Sequence, residues 1–214
     1  MRLHPAIFLD RDGVLNADSD EYIKSWAEYN FYPGVFAALR RLRVAGCEVY
    51  VVTNQAGVGK GLLTHQTLLD ILLRLRLTVR QQGGLIHGIA YCRHRKEEGC
   101  GCRKPKPGMF HKLAVKYGLD LSRSVMVGDS CTDMAAAQAA GCTTILLHTR
   151  TGERMHDHLE RCDIPPDYQA QSLLEATDII LRMPQFASTC HPEEPQATKD
   201  LGPSRRMRAS ARSG

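Results

Sequence analysis

Short apolar runs alternate with stretches of helical periodicity along most of the chain. Ala6-Ile7-Phe8-Leu9 is an apolar run that ends on Asp10, the pattern of a parallel strand buried on both faces. After Pro33-Gly34, the residues Val35, Leu39, Leu42 and Ala45 recur at helical spacing, and Gly46 can close that helix. Val49-Tyr50-Val51-Val52 predicts a second strand ending at Thr53-Asn54. Leu68, Leu72, Leu75 and Val79 form another helical stripe before Gly83-Gly84. A strand at Ile89-Ala90-Tyr91 leads into a Cys/His loop, and a helix begins near Pro107 and stops at Gly118. Val125-Met126-Val127 runs into Gly128-Asp129, an Ala-rich helix follows, and Thr144-Ile145-Leu146-Leu147 is a fifth strand. Ser172 and Glu175 make a capping box for a last helix, which Pro184 is expected to terminate.

This alternation predicts an α/β fold with a doubly wound parallel sheet covered on both faces. One domain is expected over residues 1–183. From residue 184 to 214 the periodicity is lost to Pro, Ser, Glu and Arg, the composition of a disordered tail. Asp10, Thr53 and Asp129 each fall just past the carboxyl end of a strand, the edge at which doubly wound sheets bind ligands.

Composition narrows the function classes. The 214 residues are 43% hydrophobic, which fits one domain with a substantial core. The net charge of +5 is concentrated at the end: Lys199, Arg205, Arg206, Arg208 and Arg212 face only Asp200. That placement indicates a solvated basic tail and no polyanion-binding face, so no nucleic-acid partner is expected. No apolar run approaches the roughly 18 residues of a membrane span, and none resembles a signal peptide; the expectation is a cytoplasmic monomer with a small-molecule substrate. In that compartment the eight cysteines should be thiols or metal ligands and not bridges.

Four elements carry candidate chemistry. In Phe8-Leu9-Asp10-Arg11-Asp12-Gly13-Val14-Leu15-Asn16, two carboxylates two apart on an extended segment point the same way. One can attack phosphorus while the other moves a proton, and a divalent cation can join nucleophile and phosphate. The bland alternative is an Asp-Gly turn with solvated acids. Val52-Thr53-Asn54-Gln55 offers a hydroxyl and backbone N–H groups to phosphoryl oxygens, though a strand-ending Thr-Asn is commonly just a turn. The following Gly57-Val58-Gly59-Lys60-Gly61 fails as a phosphate loop, because Gly61 stands where Ser or Thr is required, and a flexible glycine loop is expected. Cys102-Arg103-Lys104-Pro105 can bring a cation to a transferring phosphoryl group. Gly128-Asp129-Ser130-Cys131-Thr132-Asp133 adds two carboxylates at a strand-to-helix turn, Asp129 being the better metal ligand. Separately, Cys92, His94, Cys100 and Cys102 form C-x-H-x5-C-x-C, which suits a closed tetrahedral zinc site; a redox pair would leave His94 without a role.

In this order the elements resemble the haloacid dehalogenase superfamily, in its histidinol-phosphate/heptose-bisphosphate phosphatase branch. The resemblance covers about residues 5–183 and implies a phosphomonoester hydrolase without a large cap domain. On matching positions it implies Asp10 as nucleophile and Asp12 as acid and then base. Thr53 and Lys104 would hold phosphoryl oxygens. Mg2+ would be bound by Asp10, the Asp12 backbone carbonyl and Asp129, with Asp133 behind them orienting Lys104 or the metal's waters. Arg11, Asp18, Tyr22, Asn54, Gln55 and Arg103 would contact substrate. The branch also carries a zinc loop directly before Arg-Lys-Pro, which assigns Zn2+ to residues 92–102 as a stiffener of Arg103 and Lys104. The heptose members, which remove the 7-phosphate of a 1,7-bisphosphate, are favoured by Pro107-Gly108-Met109 and by Thr53-Asn54-Gln55 leading into the glycine segment. Two departures are an apparently longer loop at Ala17–Tyr22 and Ser130 after Asp129. Histidinol phosphate and broader sugar phosphates are the enzymatic alternatives. A zinc-loop nucleic-acid-binding module is disfavoured by 6% aromatic content.

Overall fold

The structure, a computed structural model, describes residues 3–19, 21–149 and 164–187. Its elements run β1 (Ile7–Leu9), α1 (Val35–Val44), β2 (Val49–Asn54), α2 (Ala56–Gly59), α3 (His65–Gln81), β3 (Gly88–Cys92) and α4 (Gly108–Tyr117). They continue with β4 (Val125–Gly128), α5 (Cys131–Ala139), β5 (Thr143–Leu147), β6 (Tyr168–Ala170), α6 (Leu173–Arg182) and α7 (Pro184–Ala187). The strands form one six-stranded sheet in the order β3-β2-β1-β4-β5-β6, every pairing parallel.

Period-two alternation divides the core. Ile7, Leu9, Val49 and Val51 point to one face with residues of α1, α3 and α6, while Phe8, Tyr50 and Val52 point to the other with residues of α4 and α5. Local chemistry fixes several helix starts. The Thr64 hydroxyl accepts the N–H of Thr67 (3.0 Å) at α3, and Ser172 accepts that of Glu175 (3.2 Å) at α6. The strand order reverses between β1 and β4, so the residues after these two strands face each other across the crevice that such a reversal opens. Those residues are Asp10 and Asp129.

Several expectations are corrected. β6 is a sixth strand that the apolar pattern did not announce, since Tyr168 and Gln169 are exposed. Pro184 does not begin a tail; it opens the helical turn α7, which buries Phe186 at 1% exposure in the core. Residues 188–214 of the expected tail lie outside the described residues. The glycine segment is packed, not loose. Gly57 and Gly59 belong to α2, and a Cβ on Gly59 would lie 2.6 Å from the Arg93 carbonyl oxygen of the zinc loop. Cys131, half-buried at the start of α5, is disulfide-bonded, against the expectation of thiols and ligands throughout. Among the described residues no helix is long and apolar enough to cross a membrane.

The boundary near Ala187 has a measurable consequence. Cutting the chain after Ala187 is expected to leave melting temperature and turnover unchanged, because 188–214 has too little apolar composition to offset its ordering entropy. Cutting after Met183 removes a buried phenylalanine, a loss of about 3 kcal/mol or more. Thermal melts of the two truncated proteins check this.

Candidate active site

Motif one leaves β1 and turns at Gly13, whose φ is +81° and whose missing Cβ would lie 1.9 Å from Asp129 Oδ2. Only glycine lets the first loop close down on the second carboxylate in this way. Asp10 Oδ1 accepts the Arg11 backbone N–H at 2.7 Å and lies 3.0 Å from Lys104 Nζ. Lys104 is 2% exposed; its ammonium also donates to the Val52 carbonyl (2.8 Å) and pairs with Asp133. Asp133 is fully buried, and its other oxygen takes the N–H of Ser130 (3.1 Å) and the Ser130 hydroxyl (2.6 Å) in the capping box of α5. The carboxylates of Asp10, Asp129 and Asp133 offer oxygens that lie within 4.8 Å of one another.

Three acids around one lysine leave an excess of negative charge. Burial lifts the Asp10 carboxyl well above the usual carboxylate range; Lys104 opposes this, and Asp133, Asp129 and Asp12 add to it. Burial works to lower the Lys104 pKa, but Asp10 and Asp133 hold it above the ordinary lysine value, so the ammonium is charged. An oxygen-only donor set with surplus negative charge fits a hard divalent cation such as Mg2+.

Asp12 is held by four donor groups. Arg11 reaches its Oδ1 through Nε (3.0 Å) and Nη2 (2.8 Å) and its Oδ2 through Nη2 (2.8 Å). Asn16 Nδ2 donates to Oδ1 and Gln55 Nε2 to Oδ2, both at 2.9 Å. Arg11 is 1% exposed and lies over the Tyr29 ring, 5.9 Å from its centroid. Arg11 thus gives Nε and Nη2 to Asp12, while its Nη1 has no hydrogen-bond partner and the residue lines the cavity beside Asp10 and Asp12. Gln55 likewise spends its amide on Asp12 and on the Thr53 hydroxyl (2.9 Å).

A cavity of about 220 Å³ opens over Asp10, Asp12 and Lys104, with Asp18, Tyr22, Asn54, Ser130 and Thr132 in its wall. Thr53 is buried at 1% exposure and is not among the lining residues. Asn54 clamps the lysine loop, giving Nδ2 to the Lys104 carbonyl and taking the Lys104 N–H, each at 3.1 Å. Arg103 lies in an adjoining cavity of about 300 Å³ that shares Asn54, Lys104 and Thr132 and adds Lys96 and Lys106. Asn16, Ser130 and Thr132 were not singled out as site residues. Asn16 closes motif one and Ser130 follows Asp129, so their place beside the carboxylates was the available signal.

The Cys/His loop forms a tetrahedral cage. Cys92 Sγ lies 3.5 Å from His94 Nδ1 and 3.6 Å from Cys100 Sγ; Cys102 Sγ lies 3.4 Å from His94 Nδ1 and 3.5 Å from Cys100 Sγ. Zn–S bonds of about 2.3 Å and Zn–N bonds of about 2.0–2.1 Å give tetrahedral edges of about 3.8 Å for S···S and about 3.5 Å for S···N. The cage fits zinc, and Arg103 is tied to it by a 3.3 Å bond to the His94 carbonyl. Protein purified without chelator is expected to hold about one zinc per chain, and its activity should still require added Mg2+. Metal analysis showing no zinc while all four ligands are intact would refute this.

Comparison with known proteins gives these features a family. The HAD-hydrolase-like family matches residues 101–176. The D-glycero-beta-D-manno-heptose-1,7-bisphosphate 7-phosphatase of Pseudomonas aeruginosa is 45% identical over 148 residues, covering 69% of this chain and 83% of that protein. The like-named protein of Neisseria meningitidis is 37% identical over 180 residues, covering 82% and 94%. The chain belongs to the haloacid dehalogenase-like phosphatases. Among solved structures of this family, the D,D-heptose 1,7-bisphosphate phosphatase of B. bronchiseptica, complexed with magnesium and phosphate, superposes with a TM-score of 0.76. It is 37% identical and the match covers 85% of this chain and 98% of that one. The expected fold class, without a large cap domain, stands with it.

Proposed function

We propose that this phosphatase removes the 7-phosphate of D-glycero-D-manno-heptose 1,7-bisphosphate through an aspartyl-phosphate on Asp10. The observation that carries the chemistry is the meeting of Asp10, Asp129, Asp133 and Lys104 at the β1/β4 crevice, with Asp12 beside them. The substrate assignment rests on the names of the relatives and on their coverage.

Both bonds to Asp10 fall on Oδ1, which leaves Oδ2 to attack phosphorus. As the Asp10–phosphorus bond forms, the sugar–oxygen bond to phosphorus breaks and the departing oxygen takes the proton of Asp12. Asp12, now a carboxylate, takes a proton from water; that water attacks phosphorus, the acyl phosphate opens and Asp10 is regenerated. Arg11, Asn16 and Gln55 set the position of Asp12 for both transfers. Lys104 supplies a fixed positive charge to the phosphoryl oxygens, and Asp133 and the Val52 carbonyl fix its direction. Asp10, the Asp12 backbone carbonyl and Asp129 would hold Mg2+, with Asp133 beside them. When bound, the metal neutralises charge on the nucleophile and the phosphoryl group. Asp18 and Tyr22 from the loop after motif one, and Arg103 from the zinc loop, bracket the space left for the sugar. The near-neutral charge of residues 1–198 fits a small-molecule substrate.

Phosphate release from the heptose bisphosphate, a panel of sugar monophosphates and histidinol phosphate tests the assignment. The highest kcat/KM is expected on the bisphosphate, with the 1-phosphate retained in the product. Equal or better turnover of histidinol phosphate would move the protein to the other arm of the branch.

A further inference from the structure

Among the described residues, Tyr22 is the one residue other than glycine with a left-handed backbone, at φ +64°. A Cβ crowds the following carbonyl in that conformation, so the surrounding structure must hold it there. The Tyr22 N–H goes to the Ser19 carbonyl at 3.1 Å, which closes the turn but does not place the ring. The ring is placed by α2. A Cβ on Gly57 would stand 3.3 Å from Cδ1 and 3.4 Å from Cγ of Tyr22, so the bare backbone lets the ring lie close against the helix. Lys60 follows three residues later, on the same side of that turn, and sets its ammonium 5.3 Å from the ring centroid.

The position of Tyr22 gives this strain a use. The residue lines the catalytic cavity and also a second cavity of about 390 Å³. In the wall of the second, Asp18, Glu21 and Glu28 meet a single cation, Lys24, which already pairs with Glu21 at 3.2 Å. That space repels a phosphorylated molecule, whereas the catalytic cavity holds Lys104. A fixed wall between the two therefore decides how the organic part of a phosphate ester lies.

We propose that Lys60 is a positioning residue for the substrate: with Gly57 it pins the Tyr22 ring, and the pinned ring is the wall on which the organic part of the ester rests. Lys60 is exposed and is not among the residues lining either cavity, so its effect passes through Tyr22. The glycine segment that fails as a phosphate loop acquires a role in this way. Gln55, just before α2, grips Asp12 at 2.9 Å, and Lys60, just after it, holds Tyr22. One turn of helix thus ties the acid/base group to the wall that seats the sugar.

The inference rests on the phosphatase activity and not on which sugar is bound. Steady-state kinetics therefore compare the best substrate of the panel with acetyl phosphate, which has no sugar to seat. Lys60→Gln should raise KM on the sugar phosphate by about two- to fivefold, the contribution of a cation over an exposed ring, with a much smaller change in kcat and in the KM for acetyl phosphate. Lys60→Arg should restore the wild-type KM. Tyr22→Leu should raise KM at least as far, and adding Lys60→Gln to it should change nothing more, because the coupling runs through the ring. A KM unmoved by Lys60→Gln, or a loss that arginine does not restore, overturns the proposal. So does a double variant whose two losses multiply, which would place the ammonium on the substrate itself. An equal rise in KM for acetyl phosphate overturns it as well, since that marks a general loss of attraction for anions.

Discussion

Asp10→Asn is expected to stop turnover, and Asp12→Asn to slow it by about a hundred- to ten-thousandfold. Asparagine at position 10 has no carboxylate oxygen to attack phosphorus, so neither half-reaction can begin. Asparagine at position 12 keeps the shape and some of the bonds to Arg11, Asn16 and Gln55, but it can neither give nor take the proton. The two losses should be far from additive, because the pair acts as a unit on one phosphoryl group. Steady-state rates of the two single variants and the double variant on one substrate check this. The Asp12 variant should recover much of its first half-reaction on an aryl phosphate, whose leaving group needs no proton.

Lys104→Met carries the next largest effect, and it acts on stability as well as rate. The ammonium is 2% exposed and answers Asp10, Asp133 and the Val52 carbonyl together. Removing it leaves three buried carboxylates facing one another without their cation. Breaking a buried pair by deleting one partner costs about 3–5 kcal/mol. Losing the fixed charge on the phosphoryl oxygens costs about a hundred- to a thousandfold in kcat. Because the carboxylates remain, Mg2+ should stabilise the variant against urea more than it stabilises the wild type. Denaturation midpoints with and without Mg2+ measure the first effect, and kcat at saturating Mg2+ the second.

The parts of this molecule legible in the sequence were those written in apolar runs and in short chemical motifs. The edge strand β3 showed through the short run Ile89-Ala90-Tyr91 although Ile89 and Tyr91 are only half-buried, and β1, β2, β4 and β5 carry apolar runs, so their burial on both faces was readable. β6 was not, because an edge strand with Tyr168 and Gln169 exposed has neither a run nor an alternation long enough to register. Phe186 was missed for a different reason. Pro184 ends one helix, but proline is equally at home in the first turn of another, and α7 begins there. At the site, the sequence placed Asp10 and Asp129 on one rim, and the structure brings them together at the strand-order reversal. It could not say where Arg11 points. Period-two alternation sets Arg11 opposite Asp10 and Asp12, yet only the coordinates show its long side chain returning to grip Asp12. The zinc cage was legible as a candidate, because three cysteines and a histidine fall within eleven residues, and the family resemblance assigned the metal.

The central claim is that phosphate passes through Asp10, and rapid-quench single turnover with mass spectrometry of the peptides tests it most directly. With an aryl phosphate, the Asp12→Asn variant should accumulate a phosphoryl group on the peptide containing Asp10, and the Asp10→Asn variant should carry none. A phosphoryl group mapped to Asp129, or hydrolysis in a single turnover with no aspartate ever phosphorylated, would contradict the account and leave direct attack by water as the chemistry.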